Sequence, residues 1–207
     1  MKNNMILNWT IRILLALLVL IVGAFAYLKH TTLPQTHGRM TLSGLSETVS
    51  VWREPSGVVH IQANNQADLF FAQGVVHAQD RLWQMEFQRR VGAGRLSEIF
   101  GEATLDKDKF LRTWGFYRAA QAAYASLTPN AQVAIDAYVK GINAYLATNP
   151  SLPLEFQLLA YSPEPWKPAD VMVWAKMMAF EMAFNRKTEL KRYRLLARGL
   201  SQERIAQ

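Results

Sequence analysis

One short segment concentrates the side chains that could do acid-base chemistry. Residues 75–90, VVHAQDRLWQMEFQRR, hold a histidine, two acids and three arginines among large apolar residues. A carboxylate can orient an imidazole for base catalysis, so His77 and Asp80 form a possible catalytic dyad. A base needs a nucleophile to activate, and the segment marks none. The alternative is that these charges belong to a buried helix.

Helical spacing favours that alternative. On a helix, Glu86 lies three and four positions before two arginines, which is the spacing of compensating ion pairs. The H-E-x-x-H zinc motif is absent, and arginines among the acids would neutralise the field that a metal ion requires. Buried charges persist only when they are paired. The spacing therefore predicts a structural charge network, with the members His77, Asp80, Arg81, Glu86, Arg89 and Arg90.

The N-terminus has the features of an export segment. Lys2 and Arg12 precede an uncharged run over residues 13–28, which would span roughly 24 Å as a helix. The triplet Ala24-Phe25-Ala26 has the form of a signal-peptide cleavage site, whereas counting from residue 5 makes the run long enough to cross a bilayer. Residues 1–28 are thus a signal peptide or a membrane anchor. Either alternative places the rest of the chain outside the cytoplasmic membrane.

Composition and charge narrow the function classes. A chain of 207 residues that is 50% hydrophobic is expected to form one globular domain with a real core. The absence of cysteine excludes disulfides, thiol nucleophiles and cysteine-based metal sites. The net charge of +7 comes from the two ends, because residues 31–185 hold thirteen basic and fourteen acidic side chains. This distribution argues against nucleic-acid binding.

The remaining chain divides into a linker over residues 29–44 and one α+β region over residues 45–207. Val49 and Val51 alternate with polar residues, as do Val59 and Ile61, and the intervening Pro55-Ser56-Gly57 predicts a β-hairpin.

Helical periodicity follows the hairpin. It runs from Asp68 to about Val91, and Asn65 with Asp68 resembles a capping box. Thr128 and Pro129 predict the start of a second long helix. A proline-rich connector follows, and further helices are expected from Pro168 to about Asn185 and over 188–198, with Ser201 as a possible cap of a last element.

Several runs closely resemble the N-terminal region of the penicillin acylase family, which includes penicillin amidases and acyl-homoserine lactone acylases. The first is GVVHIQANNQADLFFAQGVVHAQDRLWQMEFQRRVGAGRLSEIFG at residues 57–101. It continues with RTWGFYRAA, AYVKGINAYL, LPLEFQLLAYSPEPWKPAD and KMMAFEMAFNRKTEL. The resemblance covers roughly residues 45–200.

The resemblance implies the α-chain part of an αββα N-terminal-nucleophile hydrolase. Such proenzymes are exported and cut themselves into an α chain and a β chain, whose new N-terminal serine attacks the amide carbonyl of an N-acyl substrate. That serine usually stands in a Gly-Ser-Asn context, and this chain contains neither Gly-Ser nor Ser-Asn. We therefore expect no catalytic residue in this chain, and the β chain of the same precursor as its partner.

The resemblance also carries over two groups of binding residues. Family members often bind a structural calcium, and the matching α-chain glutamate is Glu189; an ordinary salt bridge with a nearby cation is the alternative. The positions that line the acyl pocket of benzylpenicillin-type acylases correspond to Ala179, Met182 and Ala183. Small residues at two of them imply a roomier site for long acyl chains, unless all three merely pack the helix.

Two hypotheses remain open at this point. The chain is the α part of an exported hydrolase that cleaves linear N-acyl amides, in the periplasm or anchored to the outer face of the membrane. Alternatively, it is a catalytically inactive, membrane-tethered fragment with a structural or binding role.

Overall fold

The chain is mostly helical, with one small antiparallel sheet. The computed structural model describes residues 2–183 and 185–205. In chain order the elements are α1 (Lys2–Thr32), β1 (Ser50–Arg53), β2 (Val59–Gln62), α2 (Gln66–Ala93), α3 (Ser97–Phe100), a 3-10 helix (Gly101–Thr104), α4 (Leu105–Trp114), α5 (Phe116–Ala125), α6 (Pro129–Leu146), α7 (Leu154–Leu158), α8 (Pro168–Met182), α9 (Arg186–Ala197) and α10 (Gln202–Ile205). The expected helical region with a hairpin is confirmed, and the four-layer sandwich stays a prediction.

The hairpin forms where the alternating valines predicted it. Strands β1 and β2 pair antiparallel, with Ser50 opposite Gln62 and Arg53 opposite Val59. The turn contains Gly57 at φ +88°, a conformation that glycine adopts without steric cost. Trp52 on β1 is 50% exposed, so the hairpin leaves apolar surface uncovered within the described chain.

Helix α2 is capped at its N-terminus by the residue that the sequence singled out. The Asn65 side chain accepts a hydrogen bond from the backbone N–H of Asp68 at 2.8 Å. The predicted capping box is only half correct, because the Asp68 carboxylate accepts from the backbone N–H groups of Ser46 and Glu47 instead. These bonds fix the preceding loop to α2. The helix ends at Ala93, two residues beyond the prediction, and Gly94 at φ +63° terminates it.

Two glycines allow α2 and α6 to approach closely. A Cβ atom at Gly74 would lie 2.1 Å from the carbonyl oxygen of Tyr138, and one at Gly141 would lie 2.0 Å from that of Phe71. Both obstacles are backbone, which cannot rotate away. The core around this crossing joins α2, α6, α7 and the connector before α8 through Phe71, Val75, Ala78, Leu82, Val139, Ile142, Tyr145, Phe156 and Trp166.

A second core joins the C-terminal part of α2 to α4, α5 and α8. Its buried members are Val91, Leu96, Leu111, Phe116, Ala120, Val173 and Met177. Helix α8 starts at Pro168 as predicted but ends at Met182 rather than near Asn185, and α9 begins at Arg186, two residues before the expected start. Phe184 lies outside the described residues, between these two helices.

Helix α1 projects its apolar part away from both cores. Residues Trp9–Thr32 form a 24-residue apolar span with mean hydropathy 2.6 and no buried position in its most apolar stretch. Parts of the predicted linker over 29–44 belong to a helix or contact the folded body. Helix α1 extends to Thr32, and Met40 and Leu42 pack against the first core.

Candidate functional site

Glu86 is the centre of a buried group of charges on α2. Its side chain is fully buried and lies between two arginines of the same helix. One carboxylate oxygen, Oε2, accepts from Arg89 Nε at 2.7 Å, and the other, Oε1, accepts from Arg90 Nε at 2.8 Å. The Tyr161 hydroxyl also donates to Oε1 at 2.8 Å. Both oxygens are therefore engaged, and neither is open to a reactant.

Arg89 connects this centre to the start of α8. Its Nη1 lies 3.2 Å from Asp170 Oδ2, and its Nη2 donates to the carbonyl of Glu164 at 2.8 Å. The guanidinium also lies over the ring of Trp166, at 4.7 Å. Asp170 in turn accepts from the backbone N–H of Lys167 at 2.8 Å, in the first turn of α8. One arginine thus fixes both the position and the cap of α8.

Arg90 connects the same centre to the surface. It is 2% exposed and donates to Tyr161, and its Nη1 lies 2.6 Å from Glu98 Oε2. Burial disfavours its charge, but the hydrogen bonds that Arg90 donates to Glu86, Glu98 and Tyr161 outweigh burial and raise its pKa. Hydrogen bonds from Arg95, with help from Arg90, lower the pKa of Glu98 to about 2. Arg90 and Glu98 therefore stay ionised over the physiological range.

His77, Asp80 and Arg81 do not join the Glu86 group, which corrects the prediction of one six-residue network. His77 Nδ1 lies 2.8 Å from the Tyr138 hydroxyl, and Asp80 Oδ2 lies 2.7 Å from Arg53 Nη1 on β1. The possible His77–Asp80 dyad, which the sequence did not favour, is not formed, because each residue bonds another element. Arg81 has φ −139° and ψ 21°, so α2 is kinked there and its two halves do not present one continuous face.

The chemistry available to His77 is also limited. Burial lowers its pKa, and the nearby Asp80 carboxylate opposes that change only in part. Tyr138, its hydrogen-bond partner, has a pKa raised to about 12 by burial. At neutral pH this is a neutral imidazole against a neutral phenol, which is a polar contact between α2 and α6.

A second candidate region is the C-terminal end of α8 together with the residues beside it. Ala179, Met182 and Ala183 are all exposed, and the Met182 side chain is 69% exposed. The three predicted pocket positions therefore lie on a common open surface. We refer to Ala179, Phe180, Met182, Ala183 and Trp114 as the α8-end surface.

The aromatic rings in and beside this surface were not predicted from the sequence. The ring of Phe180 lies 5.1 Å from Trp114 and 5.0 Å from Phe116, between ring centroids. The Arg186 guanidinium stacks over Phe180 at 3.8 Å. Its Nη1 atom is buried and has no hydrogen-bond acceptor among the described residues. The closely spaced aromatic residues of FLRTWGF in α4 and α5 were the sequence signal that could have indicated these rings.

Glu189 lies on α9, close to the α8-end surface in sequence. Its side chain is 43% exposed, and its Oε1 lies 3.5 Å from Arg192 Nη1. No cluster of three or more histidine or acidic side chains that could hold a metal occurs among the described residues. Because calcium takes six to eight oxygen ligands, the described residues do not form a calcium site by themselves.

Comparison with known proteins places this architecture in a family. The family model described as penicillin amidase matches residues 48–207. The chain is 41% identical, over 66% of its length, to the penicillin acylase 2 proenzyme of Pseudomonas sp. (strain SE83). It is 36% identical, over 77% of its length, to the acyl-homoserine lactone acylase QuiP of Pseudomonas aeruginosa. These matches cover 18% and 19% of the two relatives, so the chain spans about a fifth of their length.

A solved structure resembles the chain over a similar extent. Thermostable penicillin G acylase from Alcaligenes faecalis aligns with a TM-score of 0.64 and 29% identity, over 77% of this chain and 87% of that chain. Fold and sequence agree, and the family match covers well over half of the residues. The chain belongs to the penicillin amidase family.

Proposed function

We infer that this chain is the α-chain part of an exported hydrolase that cleaves linear N-acyl amides into a carboxylic acid and an amine. The observation that carries this inference is the family match over residues 48–207, together with relatives named as penicillin and acyl-homoserine lactone acylases. An N-terminal apolar helix is compatible with export.

The lengths of the relatives support a second chain. The aligned region is only 18% of the penicillin acylase 2 proenzyme but 87% of the solved Alcaligenes chain. A precursor that is cut after this region would account for both figures, and the printed name "proenzyme" agrees with it. The proposed partner is therefore the β chain of the same precursor, which supplies the nucleophilic serine.

The reaction then divides between the two chains. The serine Oγ of the β chain attacks the amide carbonyl carbon, the C–N bond breaks, and the protonated amine leaves. Water hydrolyses the resulting ester and releases the acid. This chain contributes one wall of the acyl pocket through Ala179, Met182 and Ala183. Their exposure on the α8-end surface supports this role, because residues packed only within the helix bundle would be buried.

The Glu86 group serves this reaction indirectly in our proposal. Arg89 joins Glu86 to Asp170 at the start of α8, and α8 carries the proposed pocket residues at its other end. These ion pairs stabilise the start of α8 and do not contact the pocket residues. The group thus acts as a structural charge network for α8, separate from the reacting atoms.

Glu189 contributes one carboxylate oxygen to a calcium site that the partner completes, in the same proposal. The test is the melting temperature of the assembled protein with calcium and with chelator. Calcium should raise it in the parent and not in Glu189→Gln. An equal shift of the melting temperature in both proteins would contradict the calcium role of Glu189. Its salt bridge with Arg192 would then be its only role.

Expression of the complete precursor tests the function. We expect it to hydrolyse short- and long-chain acyl amides, and we expect the variant with its nucleophilic serine changed to alanine to be inactive. Equal rates in the two proteins would refute the mechanism. A folded, assembled parent without hydrolysis would favour the inactive, tethered alternative.

A further inference from the structure

The last turn of α1 is fixed to the folded body. Gln157 on α7 donates its side-chain N–H to the carbonyl oxygen of Thr31 at 3.1 Å. Gln79 on α2 donates to the carbonyl of Gln35 at 2.9 Å, which fixes the chain just after the helix. Residues 9–27 are all exposed, whereas Leu28 is half-buried. The apolar helix therefore leaves the body at a defined place.

Exposed leucines lie close in sequence to the residues that fix that place. Leu158 is 74% exposed and Leu154 is 37% exposed, and their spacing of four puts them on one face of α7. The same helix buries Phe156, which is 1% exposed, in the first core. Leu158 directly follows Gln157, the residue that binds the end of α1. Leu33, one residue beyond α1, is 55% exposed.

The length and polarity of α1 indicate what covers these leucines. The 24 residues of Trp9–Thr32 extend roughly 36 Å, enough to cross a hydrocarbon core of about 30 Å. The end of such a span lies at the level of the lipid headgroups, and so does the body surface fixed to it. Tyr27 is 66% exposed in the last turns of α1, where aromatic side chains are typical of the membrane interface.

Charges near the end of α1 fit an anionic lipid surface. The exposed ionisable side chains near it in sequence are two cations, Lys29 and Arg39, two histidines, His30 and His37, and one acid on α7, Glu155. A basic margin around apolar side chains is the pattern of segments that lie in the interface of anionic membranes.

We propose that α1 is retained as a membrane span and that Leu33, Leu154 and Leu158 form a lipid-contact surface at its outer end. The leucines enter the boundary between headgroups and acyl chains, and the basic margin contacts anionic headgroups. The body is then held against the outer leaflet in one orientation. This proposal rests on the proposed export of the chain but not on its hydrolytic activity.

The absence of cysteine from these 207 residues simplifies the test, because a single introduced cysteine is then the only thiol labelling site in this part of the protein. Leu158→Cys and, as the control, Gln121→Cys on α5 are labelled with the environment-sensitive fluorophore NBD in the full-length protein with α1 in place. Both positions are exposed, so neither change removes a core contact. The proteins are reconstituted into vesicles of phosphatidylethanolamine and phosphatidylglycerol, with or without a lipid that carries a spin label near its headgroup.

We expect the spin-labelled lipid to quench the label at position 158 at least about twofold more than the label at 121, and the emission at 158 to shift to the blue. Circular dichroism of both labelled proteins should match the parent. Equal quenching at the two positions would overturn the proposal. So would a mass spectrum showing loss of residues 1–26 from the exported protein. Amide hydrolysis is measured separately, so its failure is distinguishable from failure of the lipid contact.

Discussion

Two arginines, each stacked on an aromatic ring, show how the two main regions of the molecule differ. Arg90 lies over Tyr161 at 4.6 Å, and its donors reach Glu86, Glu98 and Tyr161. Arg186 lies over Phe180 at 3.8 Å, but its buried Nη1 has no acceptor among the described residues. Both carboxylate oxygens of Glu86 are bonded by side chains of this chain, whereas the arginine beside the α8-end surface has a donor without an acceptor among the described residues.

This difference predicts that the Glu86 group determines stability and that the α8-end surface determines binding. A closed set of ion pairs stabilises the chain and offers nothing to a substrate, since every carboxylate oxygen of Glu86 is already bonded. The α8-end surface has the exposed Met182, and beside it Arg186 Nη1 is buried without an acceptor among the described residues, so this is the region that we propose faces a partner. Changes in the first region should therefore alter stability, and changes in the second should alter binding and specificity.

The largest expected loss of unfolding free energy comes from removing the central carboxylate of the Glu86 group. Glu86→Ala leaves Arg89 and Arg90 as buried charges without their shared partner, which should cost about 3–5 kcal/mol of unfolding free energy. Urea denaturation measures it, with Glu102→Ala in the exposed 3-10 helix as the control. If both variants lose the same small amount, the buried network does not stabilise the chain.

A smaller loss is expected where α2 contacts α8. A Cβ atom at Gly92 would lie 2.5 Å from Cγ2 of Val173, a stiff β-branched side chain, so Gly92→Ala should cost about 1–3 kcal/mol by overpacking. The double variant Gly92→Ala, Val173→Ala should recover part of that loss relative to the sum of the two single variants. Additive free energies in this double-mutant cycle would contradict the close contact.

Glu98, at the outer edge of the Glu86 group, should make a smaller contribution to the unfolding free energy, and this contribution should depend on pH. The pKa of Glu98 is lowered from 4.5 to about 2, chiefly by Arg95. The folded protein thus holds this carboxylate ionised where the unfolded chain binds a proton, so its contribution is present above pH 4.5 and is lost as the pH falls towards 2. Its partial exposure limits the size of the effect.

Unfolding free energies between pH 5 and about 2 test this effect. Glu98→Gln should flatten the decline relative to the parent. A residual slope should remain because Asp68, whose pKa is lowered to about 2 by hydrogen bonds from Ser46, titrates in the same range. An unchanged slope in Glu98→Gln would show that this ion pair is not formed in solution.

The features that sequence predicted were those fixed by neighbouring residues. The Asn65 cap, the Gly57 turn and the spacing of Glu86 before Arg89 and Arg90 all act within a few positions, and each contact is present. Spacing on an ideal helix failed at Arg81, where the backbone leaves helical geometry. The kink separates His77 and Asp80 from the Glu86 group.

Contacts between distant residues could not be predicted from spacing. Arg89 bonds Asp170 across 81 positions, and Arg53 bonds Asp80 across 27. Each acid has several arginines within reach of a plausible fold, so sequence alone does not choose among them. The α8-end surface was found only through the family resemblance, because Ala179, Met182 and Ala183 carry no chemical signature of their own.

The most direct test of this difference between the two regions is the acyl-chain preference of the complete precursor, which we propose to be an amide hydrolase. The measurement is the ratio of kcat/KM for a long straight-chain acyl amide to kcat/KM for a phenylacetyl amide, in the parent, Met182→Phe and Glu86→Gln. Met182→Phe should lower the ratio about tenfold by narrowing the proposed acyl site, with an unchanged Tm. Glu86→Gln should lower the Tm and leave the ratio unchanged. A ratio that shifts in Glu86→Gln and not in Met182→Phe would contradict the account.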